Sequence, residues 1–199
     1  MRTMRLWVSM IAVAAVAVTA VATEGGGGAY PNGAEGWMTG ALPPPGDYII
    51  DYNLFYGADR LIGPDGNAVP IDFDLEVMGT VVRYVHVTGQ QIFGASWAQH
   101  IFLPFLNVEV STPAGHDETF GLGDIIFDPI VLGWHKPPFH WAAGIDTYLP
   151  TGGYDQDAMA NVGRHYWTFE PVFALTYLNN SGLEVSSKFM YDINLENDA

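Results

Sequence analysis

Ionisable side chains recur along one face of several alternating segments, and they define the chemistry open to this chain. Most are carboxylates, and the full set is Asp51, Asp74, Glu76, Asp124, Asp128, His140, Asp146, Glu170, Glu184, Lys188 and Asp192. If that face encloses a lumen, its acidic wall predicts a pore or binding site that disfavours anions and admits neutral or cationic solutes. The same residues are also typical of a barrel filled by side chains, in which carboxylates hydrogen-bond to one another and to water.

Patterns that would indicate catalysis or a bound cofactor are absent from the sequence. The six histidines are dispersed without HxH or HExxH spacing, so we predict no metal site. No GxSxG motif occurs, although a pair such as Ser96 and His100 could assemble in space as in a lipase. The glycines Gly121 and Gly123 precede a strand, which is typical of a turn and not of a phosphate loop. We therefore predict no catalytic residues, no cofactor and no enzyme activity.

The elements that carry the ionisable residues are predicted to be β-strands. Phe139–Leu149 is the clearest case, because Trp141 and Ile145 alternate with His140 and Asp146, as in a half-buried strand. No segment beyond the N-terminus has helical periodicity over a useful length. Seven strands are predicted, over roughly residues 47–56, 72–87, 91–110, 124–134, 139–149, 165–178 and 182–194.

Two of these strands depart from strict alternation. Arg83 falls on the apolar face of the second strand, so either a bulge near Gly79 shifts the register or the guanidinium lies near an interface where it reaches water. In the third strand the apolar residues change phase at Pro104, which predicts a bulge or bend there.

The predicted connections alternate in length. Residues 57–71, 111–123 and 150–164 form long loops, while residues 88–90, 135–138 and 179–181 form short turns. Outer-membrane barrels have long external loops and short periplasmic turns, so the pattern predicts an up-and-down antiparallel transmembrane β-barrel whose first strand starts in the periplasm. The alternative is a soluble β-sandwich or lipocalin-like barrel, which has to bury the same apolar face in a core.

The N-terminal residues of the sequence predict that the chain is exported. Arg2 and Arg5 precede an uncharged apolar stretch that ends in Ala20-Val21-Ala22, as in a secretory signal peptide cleaved after Ala22. Residues 23–46 are rich in glycine and proline and read as a flexible leader, and residues 47–199 form the barrel domain. The formal charge of −15 excludes nucleic acid as a partner. Cysteine is absent, so no disulfide framework supports the exported chain.

Three motifs carry a family resemblance. The runs GLGDIIFDPIVLGWH, PTGGYD and NVGRHYWTFEP resemble the MetA-pathway of phenol degradation family of Gram-negative bacteria. The resemblance extends from about residue 46 to residue 197 and implies an outer-membrane β-barrel transporter. It brings no catalytic motif and no cofactor.

Seven strands that begin in the periplasm leave the last one pointing outward, whereas single-chain bacterial barrels close with an even number of strands. Members of the resembled family also continue beyond the segment that corresponds to residues 191–194. We therefore expect an incomplete barrel, with no pairing between the first and seventh strands.

The function that follows from these features is a channel or transporter at the outer membrane. Its partners would be the lipid bilayer and small solutes, aromatic or hydrophobic molecules among them. Two alternatives stay open, namely a secreted soluble barrel that binds a ligand and a structural outer-membrane barrel without transport.

Overall fold

The computed structural model describes residues 35–63 and 65–197. The predicted signal peptide, residues 1–22, and most of the predicted leader therefore lie outside the described residues. Within the described ranges, no helix is long and apolar enough to span a membrane. The chain is all-β there, with strands β1 (Gly46–Ala58), β2 (Asp74–Ile92), β3 (Ala95–Thr112), β4 (Gly115–Leu122), β5 (Ile125–Lys136), β6 (Phe139–Leu149), β7 (Thr168–Leu178), β8 (Glu184–Met190) and β9 (Ile193–Asn194).

All pairings in the single sheet are antiparallel, in the order β1-β2-β3-β5-β6-β7-β8. Strand β4 pairs with β3 beyond the part of β3 that pairs with β5, and β9 likewise continues the line of β8 along β7. The sheet thus has seven strand positions, as predicted. Among the described residues β1 and β8 do not pair, so the sheet is open, as the odd number of strands led us to expect.

The two faces of the sheet differ most clearly along β6 and β7. Asp146, Glu170 and Thr176 are buried on one face, which we call the inner face. Ile145 and Phe173 are exposed on the opposite, outer face. Period-two alternation therefore separates the faces here as predicted, because successive side chains of a strand point to opposite sides.

The ends of the sheet also differ. The turn end carries the start of β1 and the short turns at residues 93–94 and 137–138, and the loop end carries residues 59–73 and 150–167. The predicted turn at 88–90 is wrong: β2 continues to Ile92, and Phe93 and Gly94, with φ of 51° and 73°, make the turn. Two positive φ values in succession are what a two-residue hairpin turn of type I′ needs.

The predicted loop at residues 111–123 is wrong as well. Residues 113–114 form a tight turn, and β4 returns along β3 from Gly115 to Leu122. The alternation of apolar residues fades in this hairpin, where His116, Asp117 and Glu118 follow one another. Polar residues fall on both faces of this part of β4, so it lacks the alternation that predicts a strand and its sequence resembles that of a loop.

The pairing of β2 with β3 has no bulge at Pro104, where a bulge or bend was predicted. The register between β2 and β3 is continuous from Asp74 to Val87, with Pro104 opposite Val81. Val108 and Val110 lie on the inner face, where Ala160 of the 150–167 loop packs on them. The inner face is apolar at the loop end because it is covered, so the change from polar to apolar was mistaken for a change of phase.

Residues 35–45 cross the inner face, and we call them the strap. The amide of Gly40 donates a hydrogen bond to Oγ1 of Thr176 at 3.0 Å, and a Cβ at Gly40 would lie 2.7 Å from the carbonyl oxygen of His140. Leu42 packs beside Val85 and Val131. Within the range predicted as a leader, residues 35–45 thus lie against the sheet, and the backbone at Gly40 fits closely against β6 and β7.

Candidate functional site

Hydrogen-bonded ionisable groups lie in the middle of the inner face, below the strap. We call this set the polar centre, and its members are Glu35, Arg83, His100, Asp128, Asp146 and Lys188. Strands β2, β3, β5, β6 and β8 each supply one member, and Glu35 comes from the strap.

Glu35 joins two distant strands. Its carboxylate accepts hydrogen bonds from Nη1 of Arg83 on β2 and from Nζ of Lys188 on β8, the latter at 2.7 Å. Because one carboxylate reaches both cations, the sheet must curl until the inner faces of β2 and β8 approach each other. Burial raises the pKa of Glu35, but the charges of Arg83 and Lys188 outweigh that effect and hold the pKa at about 2.

Arg83 fixes the protonation state of His100. Its Nη2 lies 2.9 Å from Nδ1 of His100, and since a guanidinium only donates, Nδ1 has to accept. The proton of the neutral imidazole is therefore on Nε2, which donates to Oδ1 of Asp146 at 2.6 Å. The guanidinium also lies 4.6 Å from the ring centre of Phe102, a favourable cation–π contact.

Asp128 is held at a β-bulge. The register between β5 and β6 shifts between Phe127 and Leu132. The carboxylate of Asp128 turns back into the bulge, where it accepts the amides of Ile130 at 2.7 Å and Ile145 at 2.8 Å. It lies directly over Gly144, where a Cβ would collide with its Oδ2. Strand β6 can pass the bulge only because residue 144 has no side chain.

His100, Asp128 and Asp146 are close enough to suggest a metal site, since one ligand atom from each lies within 4.8 Å of the others and all three are buried. The hydrogen-bond polarity opposes it. An ion on Nε2 would require the proton to be on Nδ1, facing the Arg83 guanidinium. We therefore interpret the three residues as a hydrogen-bonded group.

The inner face is apolar at its loop end. Ala160 and Val162 of the 150–167 loop pack on Val108, Val110 and Leu106. These contacts form an apolar layer above the polar centre.

Two aspartates fix the loop that builds this layer. Asp117 accepts the amides of Met159 and Ala160 at 2.9 and 3.0 Å, and Asp124 accepts those of Gly152 and Arg164, both at 2.9 Å. Gly152 and Gly163 are in close contact, where a side chain on either would collide with the other backbone. The covering segment is thus held at both of its ends.

The sequence-predicted lumen residues divide into two sets. Those on the inner face are Asp124, Asp128, His140, Asp146, Glu170, Glu184, Lys188 and Asp192. Those on the outer face, contrary to expectation, are Asp51, Asp74 and Glu76. Asp51 bonds to Thr80 there. The face of β2 was inverted because Leu75 and Val77 pack inward beneath the covering loop instead of outward.

Sequence reasoning missed Glu35 and the roles of Arg83 and His100. Arg83 did give a signal, since a charge on an apolar face in mid-strand needs a partner. The sequence pairs His100 with Ser96 at most, whereas its nitrogens bond to Arg83 and Asp146. Glu35 gave no signal, because nothing in a glycine-rich and proline-rich leader indicates which strands it will meet.

Comparisons with known proteins agree with this geometry. The family profile described as "Putative MetA-pathway of phenol degradation" matches residues 58–199. The fold is similar to the crystal structure of the COG4313 outer membrane channel from Pseudomonas putida F1, with a TM-score of 0.69 and 24% sequence identity. The match covers 85% of this chain and 61% of that one, so this chain spans about three fifths of the channel's length. No curated protein matches the chain.

Proposed function

Because the chain belongs to the MetA-pathway of phenol degradation family, we propose that its sheet forms part of the wall of an outer-membrane channel for small hydrophobic or aromatic molecules. The inner face would line the passage and the outer face would contact lipid. The proposal rests on how apolar side chains divide between the two faces.

The observation that carries it is the exposure of large apolar side chains on the outer face. Ile49 and Phe55 are each 77% exposed, and Phe120 and Phe189 are 74% and 62% exposed. Removing apolar surface from water is worth about 25 cal/mol per Å². A wall of such side chains is therefore stable against hydrocarbon and unfavourable against water, which supports a membrane barrel over a secreted soluble one.

The orientation follows from the two ends of the sheet. Short turns lie at the turn end and the long loops at the loop end. Since bacterial barrels place short turns in the periplasm and long loops outside, the apolar layer of Val108, Val110 and Val162 would face the exterior. A solute that enters would meet an apolar surface first, which favours neutral hydrophobic molecules over sugars or ions.

The polar centre supports the same solute class. His100 bonds to Arg83 and to Asp146, and Glu35 pairs with Arg83 and Lys188. Charged groups that are already paired inside the protein attract a passing ion only weakly. We therefore favour the interpretation in which the inner carboxylates are satisfied by hydrogen bonds inside the barrel over that of an acidic selectivity filter.

A structural barrel without transport is the second candidate, and the strap favours it. Residues 35–45 lie across the inner face and narrow any passage there, with Gly40 against the backbone of β6 and β7. Transport would then require the strap to move or the solute to pass beside it.

Uptake measurements test the proposal. We expect a strain deleted for the protein to take up a neutral aromatic such as phenol or toluene more slowly than the same strain complemented with the wild-type chain. A hydrophilic sugar of similar size is the control, and its uptake should be equal in both strains. Equal uptake of the aromatic by the two strains would contradict transport. Faster uptake of both the aromatic and the sugar by the complemented strain would indicate an unselective pore.

A further inference from the structure

Two histidines face each other across the turn between β5 and β6. His135 and His140 are directly opposite in the antiparallel register, on the inner face at the turn end. Their Nδ1 atoms are 2.9 Å apart and their ring centres 5.2 Å apart. We propose that this pair binds a divalent transition-metal ion, Cu²⁺ or Ni²⁺, through both Nδ1 atoms.

The distance between the nitrogens fits such an ion. Two imidazole nitrogens bound at about 2.0–2.1 Å and about 90° apart on one metal lie roughly 2.9 Å from each other. That angle occurs in the square-planar and tetragonal sites of Cu²⁺ and Ni²⁺. In a tetrahedral Zn²⁺ site the nitrogens would be roughly 3.3 Å apart. The strands thus place the two ligands at the separation that a square-planar ion requires.

The protonation state of the pair is compatible with binding. At this separation one Nδ1 donates to the other, so a single proton lies between the two nitrogens. When an ion binds, the ring that carries its proton on Nδ1 shifts that proton to its own Nε2. Both rings stay neutral, and both Nδ1 lone pairs can face the metal after a small rotation of the rings. His100 differs, because the Arg83 guanidinium fixes its proton on the nitrogen that a metal would need.

The surroundings leave room for further ligands. His135 is exposed and His140 is half-buried, so water can fill the remaining coordination positions. The site adjoins the strap, since the carbonyl oxygen of His140 would lie 2.7 Å from a Cβ on Gly40. A bound ion would link β5 to β6 beside the point where the strap crosses. This inference does not depend on transport.

Titration with the metals alone tests the site. The full chain, without a histidine tag and folded in detergent, is treated with a chelator and then titrated with Cu²⁺ and Ni²⁺ by calorimetry. Electron paramagnetic resonance of the Cu²⁺ form reports the number of nitrogen ligands. We expect one site with signals from two imidazoles, and an affinity order of Cu²⁺ over Ni²⁺ and over Zn²⁺.

Matched variants assign the ligands. His135→Gln and His140→Gln should each weaken Cu²⁺ binding by more than about tenfold and remove one imidazole from the spectrum. His86→Gln and His116→Gln change histidines outside the pair and should bind as the wild type does. Circular dichroism of every variant checks that the sheet is intact. Wild-type Cu²⁺ affinity in His135→Gln or His140→Gln, or a preference for Zn²⁺, would overturn the assignment.

Discussion

At the scale of single residues, Arg83 is a buried charge that needs several partners at once. Its guanidinium donates to Glu35, to the Tyr52 hydroxyl and to His100 while lying against Phe102. A charge withdrawn from water in this way is stable only while its partners stay in place. Loss of Arg83 would also leave Nδ1 of His100 without a donor.

Arg83→Met should therefore destabilise the fold strongly. Breaking a buried pair by removing one partner costs about 3–5 kcal/mol. Urea titration in lipid vesicles measures the free energy of unfolding. Arg60→Met is the matched control, because Arg60 pairs with Asp59 at the surface, where a salt bridge is worth about 0–1 kcal/mol. Equal effects of the two substitutions would show that the polar centre adds nothing to stability.

Gly144 is a second residue whose identity is fixed by contact. Gly144→Ala should push the Asp128 carboxylate off the amides of Ile130 and Ile145. A buried amide left without an acceptor costs about 1–3 kcal/mol. Gly89→Ala is the control, since a Cβ there meets no atom within 4 Å. The same urea titration compares the two, and a Gly144→Ala variant as stable as Gly89→Ala would refute the close packing.

At the scale of elements, the outer face divides into an apolar band and a polar hairpin beyond it. Ile145 of β6 is 51% exposed within the band, while the β4 hairpin carries His116 and Glu118. A substitution at Asp146, the neighbour of Ile145, is no suitable control for a charge placed on the outer face, because Asp146 is buried and bonded to His100. The cost in folding free energy of a charge on the outer face should therefore be larger within the apolar band than in the polar hairpin.

Ile145→Arg tests this dependence. An arginine at the centre of the bilayer costs about 2–4 kcal/mol in a barrel strand, falling to about 0–1 kcal/mol near the interfaces. We expect the larger cost for Ile145→Arg and the smaller one for His116→Arg when folding into vesicles is titrated with urea. Similar costs for both would mean that the outer face at Ile145 does not contact hydrocarbon.

At the scale of the whole molecule, Glu35 connects the strap to both sides of the curled sheet. It pairs with Arg83 of β2 and Lys188 of β8, strands near opposite edges of the sheet. Beyond Glu35, the strap contacts Thr176 through Gly40 and packs on the inner face through Leu42 before it reaches the start of β1. The Glu35 carboxylate therefore contributes both to the curvature of the sheet and to the position of the strap, which Gly40 and Leu42 also hold.

Acid should weaken this connection in a defined range. The pKa of Glu35 falls from 4.5 to about 2 on folding, so its ionised form stabilises the folded chain above pH 4.5. That contribution, on the order of 3 kcal/mol, is lost as the pH falls towards 2. Unfolding titrations of the wild type and Glu35→Gln between pH 6 and pH 2.5 should converge at the acid end. A constant difference would contradict the ion pairs.

The sequence by itself determined the number of strand positions across the sheet and the faces of β6 and β7. There the contrast is strict, with Ile145 and Phe173 outward and Asp146 and Glu170 inward, because each strand separates an apolar medium from a polar interior. The odd number of strand positions likewise followed from counting alternating segments. These are local properties, which a strand carries in its own residues.

The tertiary structure decided which face of β2 is inner and what occupies the middle of the sheet. Leu75 and Val77 are buried on the inner face beneath the 150–167 loop, and that loop is distant in sequence. Arg83 is stable among apolar neighbours because Glu35 reaches it from the strap. Burial by a remote segment reverses the relation between polarity and direction on which alternation depends, and within β2 the charge of Arg83 on the apolar face was the sign of it.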